Sequence, residues 1–532
     1  MIKNIMIILI LSSTYFVNAQ DQQKQNTDVE LPDFVITGKD VVTIRNVQKI
    51  PPDFVSAISE EFLKPVFPTE NLPVKDVNTP IKGAISLEDS LNYYNGIINA
   101  YVGSFYLPKA SLNFSSPFKN GLFDSYVNAE NRRAYVSNSE RYSIDGGANL
   151  SLFVNDNADF LPGTKFKLDG DYGTSSYKFF ASQTPLLKRT LNNGDASVLV
   201  ENLMNKYFIF SGKLKDEISS LVNENFTENM FNVDGFAQLS LAAFNLNAML
   251  NYKKQTLTND LNSNSRFSYI AFKPTIGLDF TKLMKVNFGF NYSHDGSNNF
   301  FSPYASMSLK LNQAFTLYSE FSPETEFLGG GYFLKQNPYF MPQKFSNLFY
   351  KKNLNFNVSV KYQFFTYVEI DGGIKYLTSD NLPFFIDSSE VGKFDVSTTN
   401  GKSITAFVNL LFHPGPNGVF YGTAELNDTR DNVNNFVPYY PRAKVTMNYG
   451  YDFKNGISAG ASIIYLTGIY SDVQNKNLLN SYINLGVNGN YKLNENFSLS
   501  LKLSNLLNHN NYIWQGYKEL PLDVQAGLNY RW

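Results

Sequence analysis

The 532-residue chain contains no cysteine. Disulfides therefore play no part in its stability, even in an oxidising compartment. Beyond residue 19 no run reaches the ~18 to 20 consecutive apolar residues of a spanning helix, which excludes a helical membrane protein. Neither sign of charge is in excess. Lys and Arg number 45 and Asp and Glu 47, for a net charge of −2, so the basic face of a nucleic-acid binder is missing. Histidine is rare, with 3 residues. His294 precedes Asp295 at a strand end, His413 sits beside Pro414 in a tight turn, and His509 lies in the run Asn508-His509-Asn510-Asn511. None has a Ser or Asp partner at a recognisable spacing, so each reads as a solvated loop or turn residue rather than a catalytic base. No enzyme and no cofactor are expected. Asn155-Asp156-Asn157-Ala158-Asp159 is half of a calcium loop, without the Gly and distal Glu that close the coordination shell, and reads as a turn.

What the chain does have is aromatic residues, 46 Phe and 34 Tyr, and a strict way of placing apolar side chains. In the last eleven residues Leu522, Val524, Ala526, Leu528, Tyr530 and Trp532 alternate with Asp523, Gln525, Gly527, Asn529 and Arg531. A strand has period two, so one face is greasy and the other wet. The same alternation recurs upstream. Val286, Phe288, Phe290 and Tyr292 alternate with Asn287, Gly289, Asn291 and Ser293, and Phe497, Leu499, Leu501 and Leu503 with Ser498, Ser500, Lys502 and Ser504. The polar sets are too hydrophilic for a packed sandwich core. They suit the lumen of a membrane barrel, whose lipid-facing residues occupy every second position.

The chain start fits this reading. Lys3, the apolar run 5–11 and the small residues at Val17-Asn18-Ala19 predict a Sec signal peptide, cleaved before Gln20 and too short to span a membrane. No Cys follows, so a lipoprotein is not expected. Residues 20–95 differ in texture: a polar start, then Pro51, Pro52, Pro65, Pro68, Pro73 and Pro80, with a short helix expected at 56–63. Regular amphipathic strands begin near Gly96. Connections alternate between short (281–284, 311–314, 413–418, 452–456, 493–496) and long (321–352, 378–402, 427–440, 507–520). Short periplasmic turns with long outer loops are the outer-membrane arrangement. About 21 strands can be counted. An even number requires one more, expected between Ala196 and Phe231. The fold predicted is all-β: a transmembrane antiparallel barrel of about 22 strands (18–22, even) over 96–532, after a signal peptide (1–19) and an irregular periplasmic or lumenal segment (20–95).

The terminal pattern, with Gly527, Tyr530 and Trp532, resembles the C-terminal insertion signal that the barrel-assembly machinery of the bacterial outer membrane reads. Val29-Glu30-Leu31-Pro32-Asp33-Phe34-Val35-Ile36-Thr37-Gly38 resembles the start of a mature TonB-dependent receptor of Bacteroidetes type. The strand pattern and the region around Asn337-Pro338-Tyr339 resemble that superfamily's barrel. The resemblance implies a box, carried here by Val29, Leu31, Val35, Ile36 and Gly38, that pairs with a TonB-like periplasmic domain. It also implies a plug in the lumen. The 57 residues from 39 to 95 are too few for one and lack Gly-rich plug signatures, so the chain looks like a plugless relative.

The best ligand candidate is the loop after Gly329-Gly330-Gly331, with Tyr332, Phe333, Tyr339 and Phe340. Aromatics on a loop either bind something, fold back to cap the lumen, or join the interfacial girdle. The function expected is passage or binding of an unidentified solute at the outer membrane. The alternative is a non-enzymatic scaffold or partner barrel of a secretion or surface assembly. Expected partners are lipid, the assembly machinery, and a TonB-like domain or a secretion partner.

Overall fold

The computed structural model describes residues 95–532, apart from positions 156–157, 159–160, 204, 206, 242–243, 282, 313, 365–366, 416–417 and 454. The signal peptide, the box at 29–38, the helix expected at 56–63 and the rest of 20–94 lie outside the described residues.

Wall strands run in chain order from Gly96–Gly103 to Asp523–Arg531, each antiparallel to its neighbour in the wall. The last pairs back onto the first, with Ala100 opposite Leu528 and Val102 opposite Ala526. The ring is therefore closed. Its sheet counts 23 strands, of which Glu324–Gly329 departs from the wall, leaving a 22-strand barrel. The strand expected between Ala196 and Phe231 is Phe208–Val222.

The period-two pattern sets the faces. On the last strand Leu522, Val524 and Leu528 are exposed, while Asp523, Gln525 and Asn529 are buried inward. Ile98, Leu168, Val198, Leu250, Ile276, Phe288, Ile404 and Val408 are likewise exposed on the outer face. An apolar belt of this kind is stable only against lipid. Polar side chains pair across strands on the inner face, as in Asn99–Ser111 (2.9 Å), Asn128–Asp145 (2.8 Å) and Asn287–Ser306 (3.0 Å). Leu501 is 47% exposed beside outward Ala526. Leu501→Arg should lose ~2 to 4 kcal/mol at the bilayer midplane and drop out of the membrane fraction. Membrane fractionation with quantitative blotting checks this, and wild-type levels would reverse the faces.

One expectation is corrected. The stretch 378–402 is mostly strand rather than long loop, since Val368–Asp387 and Phe394–Gly415 leave only 388–393 as connection. These strands outrun the bilayer. The ladder continues above the lipid, where the outer face meets water and the apolar alternation ends. The opposite, short-turn end carries the first and last of the described residues, Asn95 donating its N–H to the Trp532 carbonyl at 2.6 Å.

Candidate functional site

The long-loop end of the barrel holds an irregular feature. Phe315–Phe321 lies in the wall between 305–310 and 356–362. At Ser322-Pro323 the chain leaves it. Proline has no N–H and cannot continue the ladder. Ser322 N–H still reaches the Asn355 carbonyl at 2.9 Å. The next strand, Glu324–Gly329, pairs only with 347–352. The partner strand has a register shift between Lys352 and Leu354 against its other neighbour. A hairpin, 324–352, is thereby turned into the lumen.

Its path is given by the wall residues that hold it. Ser302 Oγ donates to the Pro323 carbonyl at 2.9 Å, and the Asn291 amide donates to the same oxygen. Tyr269 OH donates to the Thr325 carbonyl at 2.8 Å, and Lys253 Nζ to the Phe327 carbonyl at 3.1 Å. Glu228 accepts the N–H groups of Gly330 (2.8 Å) and Gly331 (3.0 Å). Arg189 Nη1 donates to the carbonyls of Pro338 (2.9 Å) and Phe340 (2.6 Å). These anchors come from the twelfth and eleventh strands and then the tenth, ninth, eighth and sixth. The hairpin therefore crosses the inner wall from one side of the mouth toward the other.

The glycine run has a packing reason. A Cβ on Gly329 would lie 2.6 Å from a Glu228 carboxylate oxygen, and one on Gly331 2.8 Å from Ser219 Oγ. Only bare backbone fits there. The short helix Gly330–Gln336 follows, and its Lys335 reaches Glu217 on the wall at 3.2 Å.

An aromatic core forms around this helix. Phe333 meets Phe345 (5.2 Å), Phe340 (5.9 Å) and Phe385 (5.9 Å) edge-on. Tyr339 stacks on Tyr517 with centroids 3.5 Å apart and meets Tyr177 edge-on at 5.8 Å. Tyr517 in turn lies 6.2 Å from Phe394. Tyr177 ends the fifth strand and Phe394 opens the sixteenth. Half a circuit of the 22-strand wall separates them, so this chain of rings bridges the mouth. Burial beside this core pushes the Glu519 carboxyl up to about 6, against the pull of Arg132 and Arg141.

Of the four aromatics singled out in the sequence, Phe333 and Phe340 are buried, Tyr339 is half-buried and Tyr332 is exposed. Gly527, Tyr530 and Trp532 lie on and just past the closing strand, far from this cluster in the fold. Among the histidines, His294 Nδ1 bonds the Asn298 carbonyl (3.1 Å) and His509 Nδ1 the Asn511 side chain (2.9 Å). No group of three metal-ligating side chains occurs among the described residues. Asn155-Asp156-Asn157-Ala158-Asp159 falls partly outside them. Sequence reasoning missed Arg189 and Glu228. Each is an inward polar residue on a wall strand, and nothing local sets it apart from the many that face water.

No family model and no curated protein matches the sequence. Solved structures do resemble it. The siderophore receptor PiuA from Acinetobacter baumannii superposes with a TM-score of 0.61 at 12% identity, over 82% of this chain and 81% of that one. The FrpB iron transporter from Neisseria meningitidis gives 0.63 at 11%, over 83% and 82%. The copper transporter OprC gives 0.62 at 9%, over 84% and 82%. The chain has the 22-strand fold of outer-membrane receptor barrels.

Proposed function

We propose that the protein is a gated outer-membrane barrel for a solute, with the inturned hairpin as its gate. The observation that carries this reading is the core that joins opposite walls across the mouth. A permanently open pore would keep that opening clear and lined with water-facing groups. Here the path is crossed by a hairpin seated largely by side-chain hydrogen bonds from the wall, contacts that water can replace on opening. The likeness to receptors for siderophores, iron and copper supports the same reading. In this proposal residues 20–95 are too short to form a plug, and the hairpin supplies the closure. Of the four loop aromatics this reading gives the ligand contact to Tyr332, the exposed one, with Phe333, Tyr339 and Phe340 packed in the core behind it.

Replacing 330–346 with a short Gly-Ser linker should raise single-channel conductance severalfold in a planar bilayer. Unchanged conductance would remove the gate reading. A scaffold reading would then lead, and one observation favours it: loop tips expose Leu186, Val391, Val433 and Leu478 at 58 to 72%. Apolar tips of this kind suit a docking partner.

Energised opening would use the box at 29–38 by strand addition to a TonB-like domain. Backbone pairing tolerates side-chain swaps and not the loss of a donor. Val35→Pro should abolish capture of such a domain in a pull-down while Val35→Thr retains it. Absence of wild-type capture at high micromolar concentration would make the box a relic.

A further inference from the structure

Two inward arginines stand opposite each other at the mouth. Arg132 ends the third strand, Arg141 opens the fourth, and the ladder makes them direct partners. Val127 and Tyr142 are exposed on the lipid face, so the alternation sets 132 and 141 on the lumen face. Like charges directly opposite on one face repel. Arg132 is also buried, at 7% exposure. Arg189 shows how this barrel satisfies a buried guanidinium, with both oxygens of Glu224 and two carbonyls. Arg132 has nothing of the kind. Its Nε is shut off from solvent with no acceptor, and among the described residues no hydrogen bond or ion pair reaches the guanidinium of Arg132 or of Arg141. A buried charge left in this state is costly.

The acids nearby are engaged elsewhere. Glu130 pairs with Lys109 at 3.7 Å, Glu140 with Lys178, and Asp523 takes the Gln525 amide at 2.6 Å. That leaves Glu519, on the loop between the last two wall strands. It lies near both arginines, yet no oxygen of it comes within ion-pair distance of either guanidinium. The other neighbours are phenol rings. Arg132 lies 5.5 Å from the Tyr135 ring centre and Arg141 5.9 Å from that of Tyr177, while Tyr106 and Tyr339 also flank Arg132. Tyr135 OH donates to the Lys518 carbonyl at 2.7 Å and Tyr177 OH to the Pro338 carbonyl at 2.6 Å. Ring faces orient a guanidinium but do not neutralise it.

We propose that Arg132 and Arg141 form a binding site for an oxyanion, a carboxylate or a phosphate, carried by the solute. Each guanidinium is a planar fork that fits two oxygens of such a group. An anion between the forks also removes the repulsion of the pair. Glu519 tunes the site, because its carboxylate competes for the same charges. Tyr339 belongs to the inturned hairpin and Tyr135 and Glu519 to outer loops, so the site is shared by wall, hairpin and loops. The inference rests on the reading of a solute barrel and adds a ligand class to it. It does not depend on the gate, and Tyr332 remains a separate contact.

Titration calorimetry on the full-length protein in detergent micelles tests this, with benzoate, citrate and inorganic phosphate as probes and glucose as the neutral control. At least one oxyanion should bind saturably and glucose should not, and the tighter probe tells carboxylate from phosphate. Arg132→Met keeps the apolar stem and removes the fork. It should weaken binding roughly 10- to 100-fold, the loss expected for one charged hydrogen-bonded contact. Glu519→Gln removes the competing carboxylate and should tighten binding severalfold. Without anion, Arg132→Met should hold or raise the temperature at which gel mobility shifts, since a buried unpaired charge is gone. No binding of any probe, or equal binding by Arg132→Met, would overturn the site. Weaker binding by Glu519→Gln, or a lower shift temperature for Arg132→Met, would overturn it too, because Arg132 would then be a structural tie to Glu519. If the linker replacement above leaves conductance unchanged while the probes bind as expected, the gate falls and the anion site stands.

Discussion

Arg189→Ala should release the hairpin from the wall. Arg189 is fully buried. Its Nε and Nη2 grip both oxygens of Glu224 at 2.7 Å, and Nη1 serves the Pro338 and Phe340 carbonyls. Its guanidinium also sits 4.5 Å from the Phe179 ring centre. Truncation leaves the Phe340 carbonyl without its donor, the Pro338 carbonyl with Tyr177 OH alone and the Glu224 carboxylate with the Gln343 amide alone. Removing one member of a buried pair costs about 3 to 5 kcal/mol. Glu224 retains 19% side-chain exposure and can take water, so the lower end applies. About 3 kcal/mol raises the open fraction roughly 100-fold. Trypsin added to the loop side of proteoliposomes should then cut at Lys335 and Lys344 faster by a similar factor, because cleavage follows the open population when reclosing is fast. Arg189→Lys should fall between, since a point charge cannot hold a carboxylate and two carbonyls at once. Equal cleavage of wild type and Arg189→Ala would show that the other wall anchors and the aromatic core hold the hairpin without Arg189.

The largest effect on assembly should come from Gly527→Val. The last strand closes the ring by pairing with Phe497–Ser504 and Gly96–Gly103. A Cβ at Gly527 would lie 2.3 Å from the Tyr101 ring and 2.5 Å from Ser500 Oγ, one neighbour on each side of the seam. Overpacking costs typically 1 to 3 kcal/mol where neighbours can shift. Here the ring and the hydroxyl hem the site from both sides, and the strain falls on the pairing that completes the barrel. Heat-modifiable gel mobility of the membrane fraction should show little folded protein. Ala526→Val, one residue away on the lipid face, should fold normally. Tyr101→Ala should rescue Gly527→Val by clearing the ring. Failure of that rescue would leave the Ser500 side of the seam as the barrier, which Ser500→Gly added to the pair tests. The aromatics that end the chain contribute differently. Tyr530 packs on Phe497 at 4.7 Å, and the Trp532 ring occupies the space a Cβ on Gly96 would need.

The two sites differ in how far they could be read in advance. Gly527, Tyr530 and Trp532 belong to an alternation that runs unbroken to the C-terminus, and their strand lies where that alternation puts it. The hairpin is another matter. Residues 321–352 read as one long loop because Gly329-Gly330-Gly331 and Pro338 interrupt any pattern. Those glycines are explained by Glu228, Phe226 and Ser219, about a hundred residues away, and the Pro338 carbonyl is held by Arg189, farther still.

Strand number, lipid face and closure were determined by the sequence itself, because each follows from a local rule. Side chains alternate every residue, lipid tolerates only apolar ones, and an even count brings both ends to one side. Whether the mouth is open was decided only by the tertiary structure. Nothing local in 324–352 says that this hairpin will leave the wall and cross the lumen. That path rests on Arg189, Glu228 and further polar side chains of the wall, and on an aromatic core drawn from opposite walls. These groups meet only after the barrel has closed around them.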